Sequence, residues 1–244
     1  MGEGALSHGH VLREALGMFR IGYARVAAVA LVLFVPPPLL IALLGGALEG
    51  IERDPGLVPG LGFVIVILIT LTIRLFGPVV YAGYLEAAVG HEYYHGQRVR
   101  LVAVLRSLPW IRLLVADVVL VVGTVVGLSF FVLPGLVWLT LFALVGPVIV
   151  QERQPVMASF RRTYQLSRQA WKIIFVMVVL LLGAEKVIEE VAMEFIHESG
   201  LGLQLLVEWG IAAVIGGVIG LVEVALATEL MVRNPRARRI ESGD

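Results

Sequence analysis

The chain reads as an all-α, polytopic membrane protein of six transmembrane helices, and three observations carry that reading. Hydrophobic residues make up 59% of its 244 positions and charged residues only 16%, with a mean hydropathy of +0.92, well outside the range of soluble domains. Apolar runs alternate with short connectors of a single charge sign. The stretch from Leu133 to Ile174 shows the unit in full. A Leu133-Pro134-Gly135 turn leads into an apolar run from Leu136 to Val150, and the chain then turns basic at Arg153, Arg161, Arg162, Arg168 and Lys172, beside Trp171. An uncharged run suits hydrocarbon, while cations and a tryptophan suit the headgroup layer.

From the N-terminus, residues 9–20 place Val11, Leu12, Ala15, Leu16 and Phe19 on one helical face, which predicts an interfacial amphipathic helix. A first span, expected to be retained rather than cleaved, covers about 23–44 and holds Pro36, Pro37 and Pro38, whose missing amide donors predict a kink. An acidic, turn-rich loop precedes a second span at 61–89 containing Arg74, Gly77-Pro78 and Glu86. Val99, Val102, Leu105 and Leu108 then recur at helical spacing among Arg98, Arg100, Arg106 and Arg112, as in a second surface helix.

The 38 residues from Leu113 to Val150 carry one charge, Asp117, and suffice for two spans, 113–132 and 134–150, divided at the Leu-Pro-Gly turn. Asp117, one turn inside, is expected to reach Arg112 or the cytoplasmic surface. The fifth span, 171–190, runs out into an acidic helix with Glu185, Glu189, Glu190 and Glu194; the sixth, 207–232, holds Glu223 and Glu229 and ends in a basic tail. No soluble domain is expected outside these segments.

Charge sets the orientation. Of 19 Lys and Arg residues, 16 fall in the N-terminal segment, two connectors and the tail, in groups of three, four, five and four. Short basic loops stay in the cytoplasm, so both termini are expected there. The pattern of basic helix, span, turn and span begins three times, near Val11, Val99 and Val156, and Gly77-Pro78-Val79 recurs as Gly146-Pro147-Val148. Both features predict three helical hairpins.

Few residues suggest chemistry. The absence of cysteine removes disulfides and thiolate sites. His91-Glu92-Tyr93-Tyr94-His95 fits H-E-x-x-H, in which two histidines one turn apart bind zinc and the glutamate activates water. Here His91 and His95 equally suit a polar, aromatic belt at a membrane exit. Arg74 and Glu223 lie 13 residues past Leu61 and 14 past Trp209, both about 20 Å deep, and are expected to pair. Asp117, Glu86 and Glu229 are secondary polar candidates. Arg98, Arg100, Arg106, Arg161, Arg162, Arg168 and Lys172 are the expected contacts to anionic lipid.

Leu133-Pro134-Gly135, the run Pro147 to Glu152, then Ala158, Arg161, Leu166, Ser167 and Arg168 with Trp171-Lys172 resemble a signature of the membrane domain attached to bacterial glycerophosphodiester phosphodiesterases and of its stand-alone six-helix relatives. The two ends of the chain, VLREALGMFR and ALATELMVRNPRAR, resemble the ends of those relatives. That family usually has serine where Thr163 stands and a tyrosine-rich exit in place of Glu229-Leu230-Met231. The resemblance implies a lipid-facing role but carries over no catalytic residue, because the phosphodiesterase chemistry belongs to a separate soluble barrel. The expectation is therefore a non-enzymatic, lipid-interacting or scaffolding protein without a cofactor. Its expected partners are membrane lipids and another membrane protein, not nucleic acid. The alternatives are a small-molecule or lipid transporter subunit and, behind it, an intramembrane zinc protease.

Overall fold

The computed structural model describes residues 8–33, 77–98, 100–196 and 200–234, and every regular element among them is helical. The proline run at Pro36 to Pro38, the acidic loop, Arg74 and the tail beyond Asn234 lie outside these residues. Among the described residues, three helices are long and apolar enough to cross a membrane: Trp110–Phe130, Val132–Glu152 and Gly202–Arg233.

Helix α1 (His8–Leu33) is continuous, where the sequence predicted a surface helix followed by a separate span. Val11, Ala15, Met18, Val26 and Ala30 form its buried face, while Leu12, Leu16 and Phe19, which the sequence grouped with Val11 and Ala15 on one apolar face, are exposed. In a bilayer the lipid-facing side is also apolar, so hydrophobic period alone does not say which face meets protein. Gly22 lies on this buried face, where a Cβ would stand 2.8 Å from Val89.

Helix α2 (Pro78–Leu85) opens with proline at its first turn, after Gly77 at φ 112. It continues through a π-helical turn (Glu86–Gly90) into α3 (His91–His95), which stops at Gly96 in the left-handed conformation. A short surface helix, α4 (Leu101–Ser107), follows, with Val104 and Leu108 buried and Val102 exposed; Val99 is outside the described residues.

Helices α5 (Trp110–Phe130), α6 (Val132–Phe142) and α7 (Val145–Glu152) form a tight hairpin. The sequence predicted the turn at Leu133-Pro134-Gly135. The chain instead turns at Phe131, which is extended at φ −160 and ψ 154, and Pro134 falls within the first turn of α6, where a missing N–H costs nothing. Glycines bring the two arms together: a Cβ on Gly127 would lie 2.7 Å from the Gly135 backbone. The break at Ala143 and Leu144 separates α6 from α7 just ahead of Gly146-Pro147.

The two copies of Gly-Pro-Val meet. Gly146 sits directly against the Val79 carbonyl of α2, with no room for a side chain. Helix α8 (Val156–Ile196) joins the basic segment to the acidic one, with a local break at Ala170 (φ −121, ψ 18), immediately before Trp171. Helix α9 (Leu201–Arg233) returns along α1 and α8. The core is the bundle interior where α1, α2, α7, α8 and α9 converge on Tyr81, Leu85, Leu144, Ile149 and Leu226.

Candidate functional site

A cleft is set between α8 and α9, floored by α2 and α6. Its volume is about 180 Å³. The register of the two helices explains it. On α9 the lining positions Glu208, Ala212, Gly216, Ile219, Glu223 and Leu226 recur at intervals of three and four, so they form one stripe. Ala212 and Gly216 supply almost no side-chain volume, and space is left where a larger residue would have met α8. On α8 the facing stripe is Ile174, Val178, Leu181 and Glu185. Tyr81 of α2 and Leu144 complete the floor, and Tyr81 is held by a hydrogen bond from its hydroxyl to the Val26 carbonyl, 2.8 Å.

The walls are apolar and the charges are all of one sign. Glu185, Glu189 and Glu208 stand at the end of the cleft nearest the α8–α9 turn, and Glu223 stands at the other; among the described residues, no Lys or Arg lines it. Glu208 and Glu223 are 15 residues apart, roughly 22 Å along the helix. Glu189 is also paired with Lys186, 2.5 Å away.

The structure reassigns two residues. Asp117 does not reach Arg112 or the surface. It is fully buried, and its carboxylate accepts the main-chain N–H of Gly77 at 2.6 Å and of Val79 at 3.0 Å. It thus caps α2 from a neighbouring helix, supplying the acceptor that Gly77 lacks. Arg112 instead donates to the Arg153 carbonyl, 2.7 Å. The reason is topological: the N-terminus of α2 is brought to mid-helix α5, and its partial positive charge is the nearest partner for an acid there.

Arg162, expected against anionic lipid, is 3% exposed and donates from Nε to Glu152 at 3.0 Å, with Nη2 3.5 Å from the Asn234 carbonyl. It lies on the face of α8 with Ser159, Thr163, Leu166 and Ser167, all buried, so the pair ties α8 to the end of α7. Arg98, Arg100, Arg106, Arg161, Arg168 and Lys172 remain exposed.

A polar layer surrounds the π-helical turn, centred on Glu86, which the sequence marked as a secondary polar candidate without its partners. Glu86 is buried there, within reach of the Gln151 side chain, and its Oε2 has no hydrogen-bond partner among the described residues. Gln151 donates in turn to Thr228, 2.9 Å. Arg25 donates to the Ala88 carbonyl of the π turn at 3.1 Å and pairs with Glu92 at 2.6 Å. Glu92, assigned by H-E-x-x-H to activating water, is thereby committed to an ion pair.

His91 and His95 stack on each other, ring centroids 4.6 Å apart. Among the described residues, no third ligand joins them: the cluster of three with ligand atoms within 4.8 Å is His10, Glu14 and Glu229. Its carboxylates are engaged, Glu14 by the Tyr94 hydroxyl at 2.9 Å and Glu229 by Arg233 at 2.6 Å. Burial first, and then the Glu14 charge, push the Tyr94 phenol up, so it stays the donor.

Glu223 lies on the cleft wall, partly buried, and among the described residues Asp117 is its charged neighbour. Its expected partner Arg74 is outside the described residues. The small-residue stripe of α9 was the legible signal for the cleft, since Ala212, Gly216 and Glu223 share one helical face in the sequence itself. No family model matches the chain, and neither a curated protein nor a solved structure matches it.

Proposed function

We propose that this is a non-enzymatic integral protein of the inner membrane that binds a membrane-derived apolar molecule in the cleft between α8 and α9. In this reading six spans form three hairpins with both termini cytoplasmic, and the exposed cations of α4 and the first half of α8 rest on anionic headgroups. The single observation that carries it is the cleft. A cavity of about 180 Å³ with walls of Ile, Leu, Val and Met is comparable to the roughly 150 Å³ voids that stay dry and take small apolar ligands. The resemblance to the phosphodiesterase-associated membrane domain agrees with a lipid-facing role, by analogy alone.

Transport is the second reading, favoured by Glu223, because an ionisable residue on a cavity wall at membrane depth marks a substrate or ion route. One experiment tests the common part. The protein in zwitterionic nanodiscs is titrated with a neutral solvatochromic dye, against empty nanodiscs. Saturable, protein-dependent dye binding is expected, and it should weaken at least about tenfold when Gly216→Leu fills the cleft. Dye uptake equal to that of empty nanodiscs defeats the reading.

A further inference from the structure

We propose that the molecule held in the cleft is a cationic amphiphile, an alkyl chain or ring bearing one ammonium group, and that Glu223 is the residue that holds its charge. This rests on the cleft being a binding site, and it adds the chemical class of the occupant.

Charge complementarity carries the argument. Among the described residues, every charged residue on the cleft wall is an acid: Glu223 at the inner end and Glu185, Glu189 and Glu208 at the outer end, separated by apolar surface. The outer three have partners of their own nearby. Among the described residues, the charged neighbour of Glu223 is Asp117, a second acid, which is fully buried and already gives both carboxylate oxygens to the N–H groups of Gly77 and Val79. Asp117 therefore adds negative potential at Glu223 and contributes no donor to it. A carboxylate on an apolar wall beside another carboxylate is costly, and a cation arriving between the α8 and α9 stripes relieves both the desolvation and the repulsion.

An anionic lipid gains nothing comparable: among the described residues no Lys or Arg lines the cleft to receive its headgroup, and Glu223 accepts a hydrogen bond from an amine but repels a carboxylate or phosphate, so fatty acids and phosphatidate-like molecules are disfavoured. A neutral molecule gains only the apolar walls. The volume limits the inserted part to a short alkyl chain or one ring.

The test uses the full chain in nanodiscs of zwitterionic lipid, with n-octylammonium, n-octanol and n-octanoate displacing the neutral dye. Concentrations are corrected for partitioning into empty nanodiscs. The expected order is octylammonium, then octanol, then octanoate, with at least about a tenfold gap between the first two, the effect of one charge-assisted hydrogen bond. Glu223→Gln should close that gap and leave octanol unchanged, which also shows that the variant is folded. Octylammonium and octanol displacing equally from the wild type overturns the proposal while the cleft stands. A gap that survives in Glu223→Gln moves the cation to the outer acids and overturns the assignment. A gap that appears only in Arg74→Gln makes Arg74 the native partner of Glu223 and overturns it too. Dye binding that depends on no feature of the protein defeats the cleft itself, and the proposal with it.

Discussion

Asp117→Ala removes the acceptor for two buried main-chain donors at once. The N–H groups of Gly77 and Val79 reach the carboxylate at 2.6 and 3.0 Å, and Asp117 is fully buried, so bulk water does not replace it. Each buried donor left unpaired costs about 1–3 kcal/mol, a gross loss of about 2–6 kcal/mol. Losing the buried carboxylate returns part of that, because its own desolvation is costly. The net expectation is a destabilisation of about 3 kcal/mol, or about 150-fold in the folded-to-unfolded ratio. Asp117→Asn keeps one amide oxygen for one of the two donors and should lose about half as much. Denaturant titration in detergent micelles, followed by fluorescence of the four tryptophans, measures both. The order Ala worse than Asn, with Asn worse than wild type, is the signature of a cap rather than of space filling. An Asp117→Ala protein within about 0.5 kcal/mol of wild type refutes the reasoning, because surface substitutions fall in that range and caps do not.

Gly146→Ala places a methyl group against the Val79 carbonyl, a backbone atom that cannot rotate away; a loss of about 1–3 kcal/mol in the same titration is expected, and none if the two Gly-Pro-Val segments do not touch. Arg162→Met leaves Glu152 buried without its partner and should cost about 3–5 kcal/mol. The double variant Arg162→Met with Glu152→Leu should recover most of it, whereas Arg161→Ala, on the exposed neighbour, should change stability by less than about 0.5 kcal/mol. Because the chain holds no cysteine, single cysteines report topology directly. Val102→Cys should label from the cytoplasm and Phe131→Cys from the opposite side, both residues being exposed; labelling of both from one side breaks the proposed orientation.

Hydropathy, charge segregation and punctuation by glycine and proline were enough to identify a helical membrane protein, because each depends only on how a local segment meets hydrocarbon or water. The spans at 110–130, 132–152 and 202–233 fall within a few residues of the predicted ones, and the Ala170 break separates the basic helix from the apolar one where Trp171 stands. The repeated Gly-Pro-Val was also visible in the sequence. That its two copies press against each other was not, since contact between segments 69 residues apart is a property of helix packing.

Tertiary structure decided the partners. Asp117 looked like a residue near an interface and proved to be the cap of another helix, because an acid is stabilised by whichever partial positive charge the fold brings to it. Arg162 sits in a basic run indistinguishable from its neighbours, yet only it turns inward, to Glu152, since which side of α8 is buried depends on α7 and α9. The same holds for α1, where lipid and protein both select apolar residues and only packing separates Met18 from Leu16. The cleft follows the same rule. Glu223 was legible as an unusual acid in an apolar span, but a cavity is the space between helices, and no single stretch of sequence contains it.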